Sequence, residues 1–305
     1  MTWTLAQMPD LQGKHALVTG VTGDLGQHTA LQLALAGARV TMTARNEYAL
    51  KETTNAVAAK VEGASLEMLH LDLADLTSVR RAAAVMLKRE DEIDILVNNA
   101  GVMATPERRT VDGFELQLGT NHFGHFALTG LLLPILGNAR VVTLTSLMHR
   151  FARSVPRSDP RMPGRYNRWR AYSQSKLANL QFALELERRA RNAELGLVSV
   201  AAHPGYAATR LQTTGPQLGG PSTTAYLLAG ATRVVGQPAA TGALPILYAA
   251  TLPGIDGGTL VGPAHLMGLR GAPRIAPISR AAKDPVAAAG LWQLSEQATS
   301  VTFLS

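Results

Sequence analysis

The stretch Thr19-Gly20-Val21-Thr22-Gly23-Asp24-Leu25-Gly26, TGVTGDLG, follows the apolar run Ala16-Leu17-Val18 and opens a helical pattern. A strand that turns through glycines into a helix presents free backbone N–H groups and the positive end of the helix dipole at one point, the geometry that holds a pyrophosphate. One residue sits badly with that use, because Asp24 brings a carboxylate to the place an anion would take. It falls where the helix begins, so its side chain is expected to cap free N–H groups, complement the dipole and point away from the phosphates, weakened binding of the anion being the alternative.

Outward from this loop, short β-branched apolar runs alternate with longer helical patterns, the signature of βαβ units that build a parallel sheet. Strands are expected near residues 15–19, 39–44, 65–70, 93–98, 139–145, 196–202 and 259–262, with helices near 25–35, 47–61, 78–89, 122–133 and 171–191. In the last helix Leu177, Leu180 and Leu184 recur at spacings of 3 and 4, which gives it one apolar face. The expected fold class is therefore α/β: a single-domain Rossmann fold over residues 1–305, a doubly wound parallel seven-stranded sheet with helices on both faces.

The chain has 305 residues, 46% of them hydrophobic and 17% charged, the composition of a folded globular protein with an ample core. Cysteine is absent, which excludes disulfides and thiolate metal sites, and no metal is expected. The N-terminal MTWTLAQMPDLQGKH lacks the pattern of a signal peptide, and no run reaches the ~18 apolar residues of a membrane span, so a cytoplasmic protein is expected. Much of the net charge of +7 comes from Arg150, Arg153, Arg157, Arg161, Arg165, Arg168 and Arg170, in a basic insert at about 149–170. We read it as a solvated surface loop; attraction of an anionic small molecule or carrier is the second reading, and nucleic acid is not an expected partner. The turn-rich residues from about 206 to 238 are read as a substrate loop or lid.

Five further motifs lie along the chain. They are Asp72 in HLDLAD, Asn98-Asn99-Ala100-Gly101 after the apolar IDILV, Asn121 in TNHFGHFALTG, Ser146 in RVVTLTSLMHR, and Tyr172-Ser173-Gln174-Ser175-Lys176; His203-Pro204-Gly205 follows them. In this order they resemble the short-chain dehydrogenase/reductase family over nearly the whole chain. The wording NHFGHFALT, YSQSKLANL and LWQLSE is most similar to its retinol-dehydrogenase-like branch, including bacterial members. The one-domain branch normally carries TGxxxGxG, whereas Gly20, Gly23 and Gly26 are spaced as in the extended branch.

The resemblance implies that Gly20, Thr22, Gly23, Asp24, Leu25 and Gly26 meet the cofactor phosphates, and that Asp72 and Leu73 lie against the adenine. It further implies that Asn99, Ala100 and Gly101 line the cofactor groove and that Pro204, Gly205 and Thr209 meet the nicotinamide end. Cofactor choice is read at the end of the second strand, where NAD enzymes offer a carboxylate to the ribose; here Arg45 follows Ala44. A guanidinium pairs with a 2′-phosphate, so NADP(H) is expected, with NADPH preferred over NAD(H).

Tyr172 and Lys176, four residues apart, project from one side of a helix. A nearby ammonium and a cationic nicotinamide are expected to lower the phenol below its usual ~10, so that Tyr172 shuttles a proton to or from the reacting oxygen. By resemblance Lys176 also holds the nicotinamide ribose, Ser146 hydrogen-bonds the reacting oxygen, and Asn121 anchors a relay water; Thr145 competes with Ser146, which the family pattern favours. His149, His203, Met148 and Tyr206 are candidates to face the substrate. The expected function is hydride transfer between NADP(H) and a ketone, aldehyde or secondary alcohol, as a carbonyl reductase or alcohol dehydrogenase. A nucleotide-sensing or interaction protein on the same fold, and a sugar-nucleotide epimerase or dehydratase, are the rival readings. Family habit suggests a homo-dimer or homo-tetramer.

Overall fold

The structure, a computed structural model, describes residues 3–89, 91–156, 158–208 and 236–304. Strand β1 (His15–Thr19) leads through the glycine loop into α1 (Asp24–Leu35), then β2 (Arg39–Ala44), α2 (Glu47–Ala58), β3 (Leu66–His70), α3 (Leu76–Lys88) and β4 (Ile95–Asn98). A short turn α4 (Leu116–Leu118) runs into a π-helical stretch, Gly119–Phe123, and then α5 (Gly124–Leu132). Next come β5 (Arg140–Leu144), α6 (Arg168–Asn192), β6 (Val198–Ala202) and a two-residue pair β7 (Ala207–Ala208) and β8 (Gln237–Pro238). The described chain closes with α7 (Ala239–Thr251), β9 (Leu260–His265), β10 (Arg270–Ile275) and α8 (Pro285–Thr299).

The main sheet has the order β10-β9-β6-β5-β4-β1-β2-β3, with every neighbour parallel except β10 against β9. It holds eight strands rather than the expected seven. The extra strand is β10, whose Gly271 and Pro273 read as turn material; an antiparallel edge tolerates them because one side of the strand has no ladder to complete.

Alternation along the strands feeds two apolar layers. Ala16, Val18, Ile95, Val97, Val142 and Val200 face a cluster that includes Leu33 of α1, Leu50 of α2 and Leu247 of α7, while Leu17, Leu96 and Val141 face Met86 of α3, Phe126 of α5 and Leu186 of α6. These side chains recur with period two because successive residues of a strand point to opposite faces.

Two helices escape the sequence pattern. Apolar residues surround α7, so no amphipathic period marks it, and Pro245 and Gly242 read as breakers. Its Gly242 is demanded by packing, since a Cβ there would lie 2.7 Å from the Ala207 side chain. For α8 a signal does exist: Asp284 accepts from the amides of Val286 and Ala287, and Pro285 takes the first helical position.

Candidate active site

The sheet order reverses at β1, with β2 on one side and β4 on the other, which opens a crevice at the carboxyl ends of the strands. The glycine loop follows β1, Arg45 follows β2, Asp72 follows β3, Asn99 to Gly101 follow β4, Ser146 follows β5 and Pro204-Gly205 follow β6. Topology thus brings six separate segments to one edge.

Each glycine of the loop has a distinct reason. Gly20 has φ +69°, and a Cβ there would lie 2.7 Å from the Ala100 Cβ. A Cβ on Gly26 would lie 2.6 Å from both Asn99 Nδ2 and the Gly20 carbonyl, so α1 starts tight against the NNAG segment. Gly23 is exposed, and its Cβ would find only the Gly20 carbonyl, at 3.5 Å. Its missing side chain serves space outside the protein, where a pyrophosphate would approach. The loop therefore fits a dinucleotide. Gly23 is the N-cap of α1 without a side-chain cap bond, and Asp24 is the first helical residue, so its carboxylate complements the dipole from the first turn instead of occupying the cap.

The NNAG segment is tied to β1 through Thr19, whose hydroxyl accepts from the amides of Asn99 at 2.9 Å and Ala100 at 3.0 Å. Asn99 Nδ2 returns a bond to the Thr19 carbonyl at 2.7 Å. The Asp72 carboxylate accepts from the Ala74 amide at 2.9 Å, and Leu73 is buried with its carbonyl pressed against Gly124, where a Cβ would collide. Arg45 is exposed at the mouth; its carbonyl faces His70 Nε2 at 3.1 Å.

Tyr172 and Lys176 are both buried on α6, with Lys176 Nζ 6.0 Å from the Tyr172 ring centroid. Thr145 turns its hydroxyl to the Lys176 carbonyl at 2.7 Å, while the Ser146 hydroxyl interacts with the Tyr172 phenol. Lys176 Nζ donates to the Leu144 carbonyl at 3.2 Å. The side chain of Asn121 is fully engaged: Oδ1 accepts from the Val102 amide at 2.7 Å, and Nδ2 donates to the Val102 carbonyl at 3.0 Å and to Ser175 Oγ at 2.9 Å. Asn121 lies inside the π-helical turn, a local break at the start of the helix expected from residue 122 that re-aims its backbone.

Burial decides the electrostatics. It pushes Tyr172 up to about 12, against a smaller opposing pull from Ser146, and pushes Lys176 down to about 8. The expected lowering of the phenol is thus not produced by the protein's own groups, because at 6.0 Å the lysine does not outweigh desolvation.

His149 and His203, candidates to face the substrate with a structural role as the other reading, are both fully buried; His203 fills the space left by Gly262, where a Cβ would fall on its Nε2. Met148 is half-buried beside Tyr172, with Met103, Ala104 and Trp169 completing an apolar wall. Tyr206 is half-buried, its amide bonded to the Leu269 carbonyl at 2.8 Å. Gly205 has φ +68°, and Pro204 passes its carbonyl to Gln237 Nε2 at 2.8 Å. Gln237 Oε1 also accepts from the Gly271 amide at 3.1 Å, so this buried glutamine pins the Pro204-Gly205 turn to β10. A lone glutamine carries no sequence signal of such a role. Thr209, Arg157 and most of the expected lid at 206–238 lie outside the described residues. In the basic insert, Arg150, Arg153, Arg161, Arg165 and Arg170 are exposed and Arg168 is half-buried, while Tyr166 anchors the segment by donating to Glu115 Oε1 at 3.1 Å.

Three buried histidines, His122, His125 and His203, are lowered to about 3, about 4 and about 3, burial being the first cause each time. They are neutral in the fold, whereas in the unfolded chain they titrate near 6.5. Between pH 6.5 and 4 the unfolded state binds protons that the folded state refuses, so stability falls as pH drops through that window, by up to ~1.4 kcal/mol per pH unit for each ring. Urea midpoints at pH 7 and pH 5 check this, and equal values would refute it.

The sequence profile of the short chain dehydrogenase family matches residues 14–217, and the chain belongs to that family. An uncharacterized oxidoreductase from Schizosaccharomyces pombe is 37% identical over 273 residues, covering 83% of this chain and 77% of that protein. Human retinol dehydrogenase 13 is 42% identical over 209 residues, 66% of this chain but 61% of its own length, so the match takes in less than two thirds of that relative. Among solved structures, an uncharacterized protein from Mycobacterium paratuberculosis superposes with a TM-score of 0.82 at 40% identity, covering 99% of both chains. A short chain dehydrogenase from Burkholderia cenocepacia in complex with NADP gives a TM-score of 0.63 at 25% identity, over 82% of this chain and 96% of that one.

Proposed function

We propose that this protein is an NADP(H)-dependent oxidoreductase that interconverts an apolar carbonyl compound and its alcohol. The observation that carries the reading is the convergence of Tyr172, Ser146 and Lys176 beside the glycine loop, against a wall of Met103, Met148 and Trp169. NADP(H), when bound, supplies or accepts the hydride. Tyr172, protonated near neutrality because burial pushes it up, donates its proton to the carbonyl oxygen; Ser146 donates a hydrogen bond to the same oxygen. Lys176 is the group that holds the ribose hydroxyls, and Asn121 fixes the NNAG wall through Val102. The apolar wall favours a bulky hydrophobic ketone or aldehyde over a sugar, which would leave its hydroxyls unpaired there. Screening ketones, aldehydes and alcohols with NADPH and NADP, read by nicotinamide absorbance, tests the reaction; no turnover with any compound refutes it.

Arg45 supports the choice of NADP(H), since its exposed guanidinium stands after β2 where a 2′-phosphate would lie. Arg45→Ala is expected to weaken NADPH binding by roughly 10-fold or more while leaving NADH within about twofold, the size of one charge-assisted contact. Fluorescence titration with both nucleotides measures this. Unchanged NADPH affinity, or tighter NADH than NADPH in the parent chain, removes the assignment.

A further inference from the structure

His125 lies on α5 behind the site, fully buried, and has no part in the reaction as described. Its two ring nitrogens nonetheless connect two parts of that site. Nδ1 is 2.9 Å from the Asn121 carbonyl, which only accepts, so Nδ1 carries the proton. In a neutral ring Nε2 must then accept, and it lies 2.9 Å from the Thr19 hydroxyl. Both lone pairs of that hydroxyl are already taken by the amides of Asn99 and Ala100, which leaves its proton for His125. The alternative acceptor for that proton, the Val97 carbonyl, is further away at 3.3 Å. Every donor and acceptor along the chain is satisfied in one direction only: NNAG amides to Thr19, Thr19 to His125, His125 to Asn121.

The ends of this chain hold the same loop. Thr19 grips its start at Asn99 and Ala100, and the Asn121 side chain grips its end by taking both the amide and the carbonyl of Val102. Gly101, between the grips, sits where a Cβ would come 2.9 Å from Asn121 Oδ1 and 3.4 Å from Lys176 Nζ. The bond to His125 also draws on the carbonyl of a residue in the π-helical turn, where the backbone leaves regular helix geometry. Burial keeps the ring neutral, so the same tautomer persists over the working pH range.

We propose that His125 is a positioning residue that locks the two grips together, setting the Asn99–Val102 wall of the cofactor groove against Lys176 through the Asn121 backbone. This rests on the dehydrogenase reading above. It acts by geometry, through buried hydrogen bonds that hold both ends of one loop.

The test uses the full chain, with NADPH affinity read by fluorescence, kcat and KM for a carbonyl that the parent chain reduces, and melting temperature. His125→Leu is expected to weaken NADPH and to lower kcat by roughly 10- to 100-fold, with KM for the carbonyl within about twofold. His125→Asn places an amide nitrogen where Nδ1 was, keeps donation to Asn121 but loses the acceptor for Thr19, and is expected to recover only part of the lost kcat. The pair Thr19→Val with His125→Leu is expected to be no worse than Thr19→Val alone, since both cut one chain. His125→Leu with parental kcat and NADPH affinity overturns the proposal, as does His125→Asn being as impaired as His125→Leu while both melt like the parent. If His125→Leu does not fold, His125→Asn against the parent decides by the same two readouts. A parent chain that turns over no carbonyl refutes the reaction instead, and the NADPH affinity of the variants then decides for His125 alone.

Discussion

Tyr172→Phe is expected to leave a folded protein that binds NADPH and reduces almost no carbonyl, with kcat lower by roughly 10²- to 10⁴-fold, the range for losing a positioned proton donor. The change removes one oxygen and keeps the ring, so the packing against Met103, Ala104, Met148 and Trp169 survives. Tyr172 is 4% exposed and pushed up to about 12, which makes it a neutral phenol across the working range and ready to give its proton in the direction of reduction. No neighbour can take over. Ser146 is a far weaker acid, and Lys176 stands 6.0 Å from the ring and donates to the Leu144 carbonyl. KM for the carbonyl and affinity for NADPH should change little, which separates loss of chemistry from loss of binding. The measurement is NADPH consumption with a substrate found by the screen; a variant that keeps more than a tenth of the parent kcat removes Tyr172 from the role.

On the far side of α6 from the chemistry, Trp292→Ala is expected to lower the unfolding free energy by about 3–5 kcal/mol, the usual cost of deleting a fully packed indole. Trp292 of α8 is 2% exposed and stacks on Phe182 of α6 with centroids 5.9 Å apart, while Phe126 and Phe303 meet it at 5.0 and 4.7 Å. Arg189 lies over the ring at 4.5 Å, and the indole N–H donates to Glu296 at 3.1 Å. These rings come from four separate segments, so the cavity cannot close by a local shift. Trp292→Phe should cost less because most of the contact is retained. Urea unfolding of both variants tests the pair; a loss under 1 kcal/mol for Trp292→Ala would show that α8 does not secure the back of α6.

How much was legible in the chain depended on the range of the cause. The parallel sheet was readable because strands buried on both faces appear as apolar runs such as IDILV, whatever packs on them. The candidate site was readable because its residues sit just past strand ends, where a parallel sheet gathers them at one edge. Edge strand β10 and helix α7 were not, since Gly271, Pro273, Gly242 and Pro245 carry local signals for turns and only their neighbours make them strand and helix.

By itself, then, the sequence determined the order of βαβ units, the glycine loop and the residue types brought to the strand ends, because periodicity, capping and turn chemistry act within a few residues. The tertiary structure alone decided that the phenol is raised where its lysine neighbour suggested the reverse. It alone joined Thr19, His125 and Asn121, and set Gln237 between Pro204 and Gly271. Those outcomes depend on desolvation and on hydrogen bonds between groups distant in the chain, and no pattern along the chain encodes either until the sheet has brought them together.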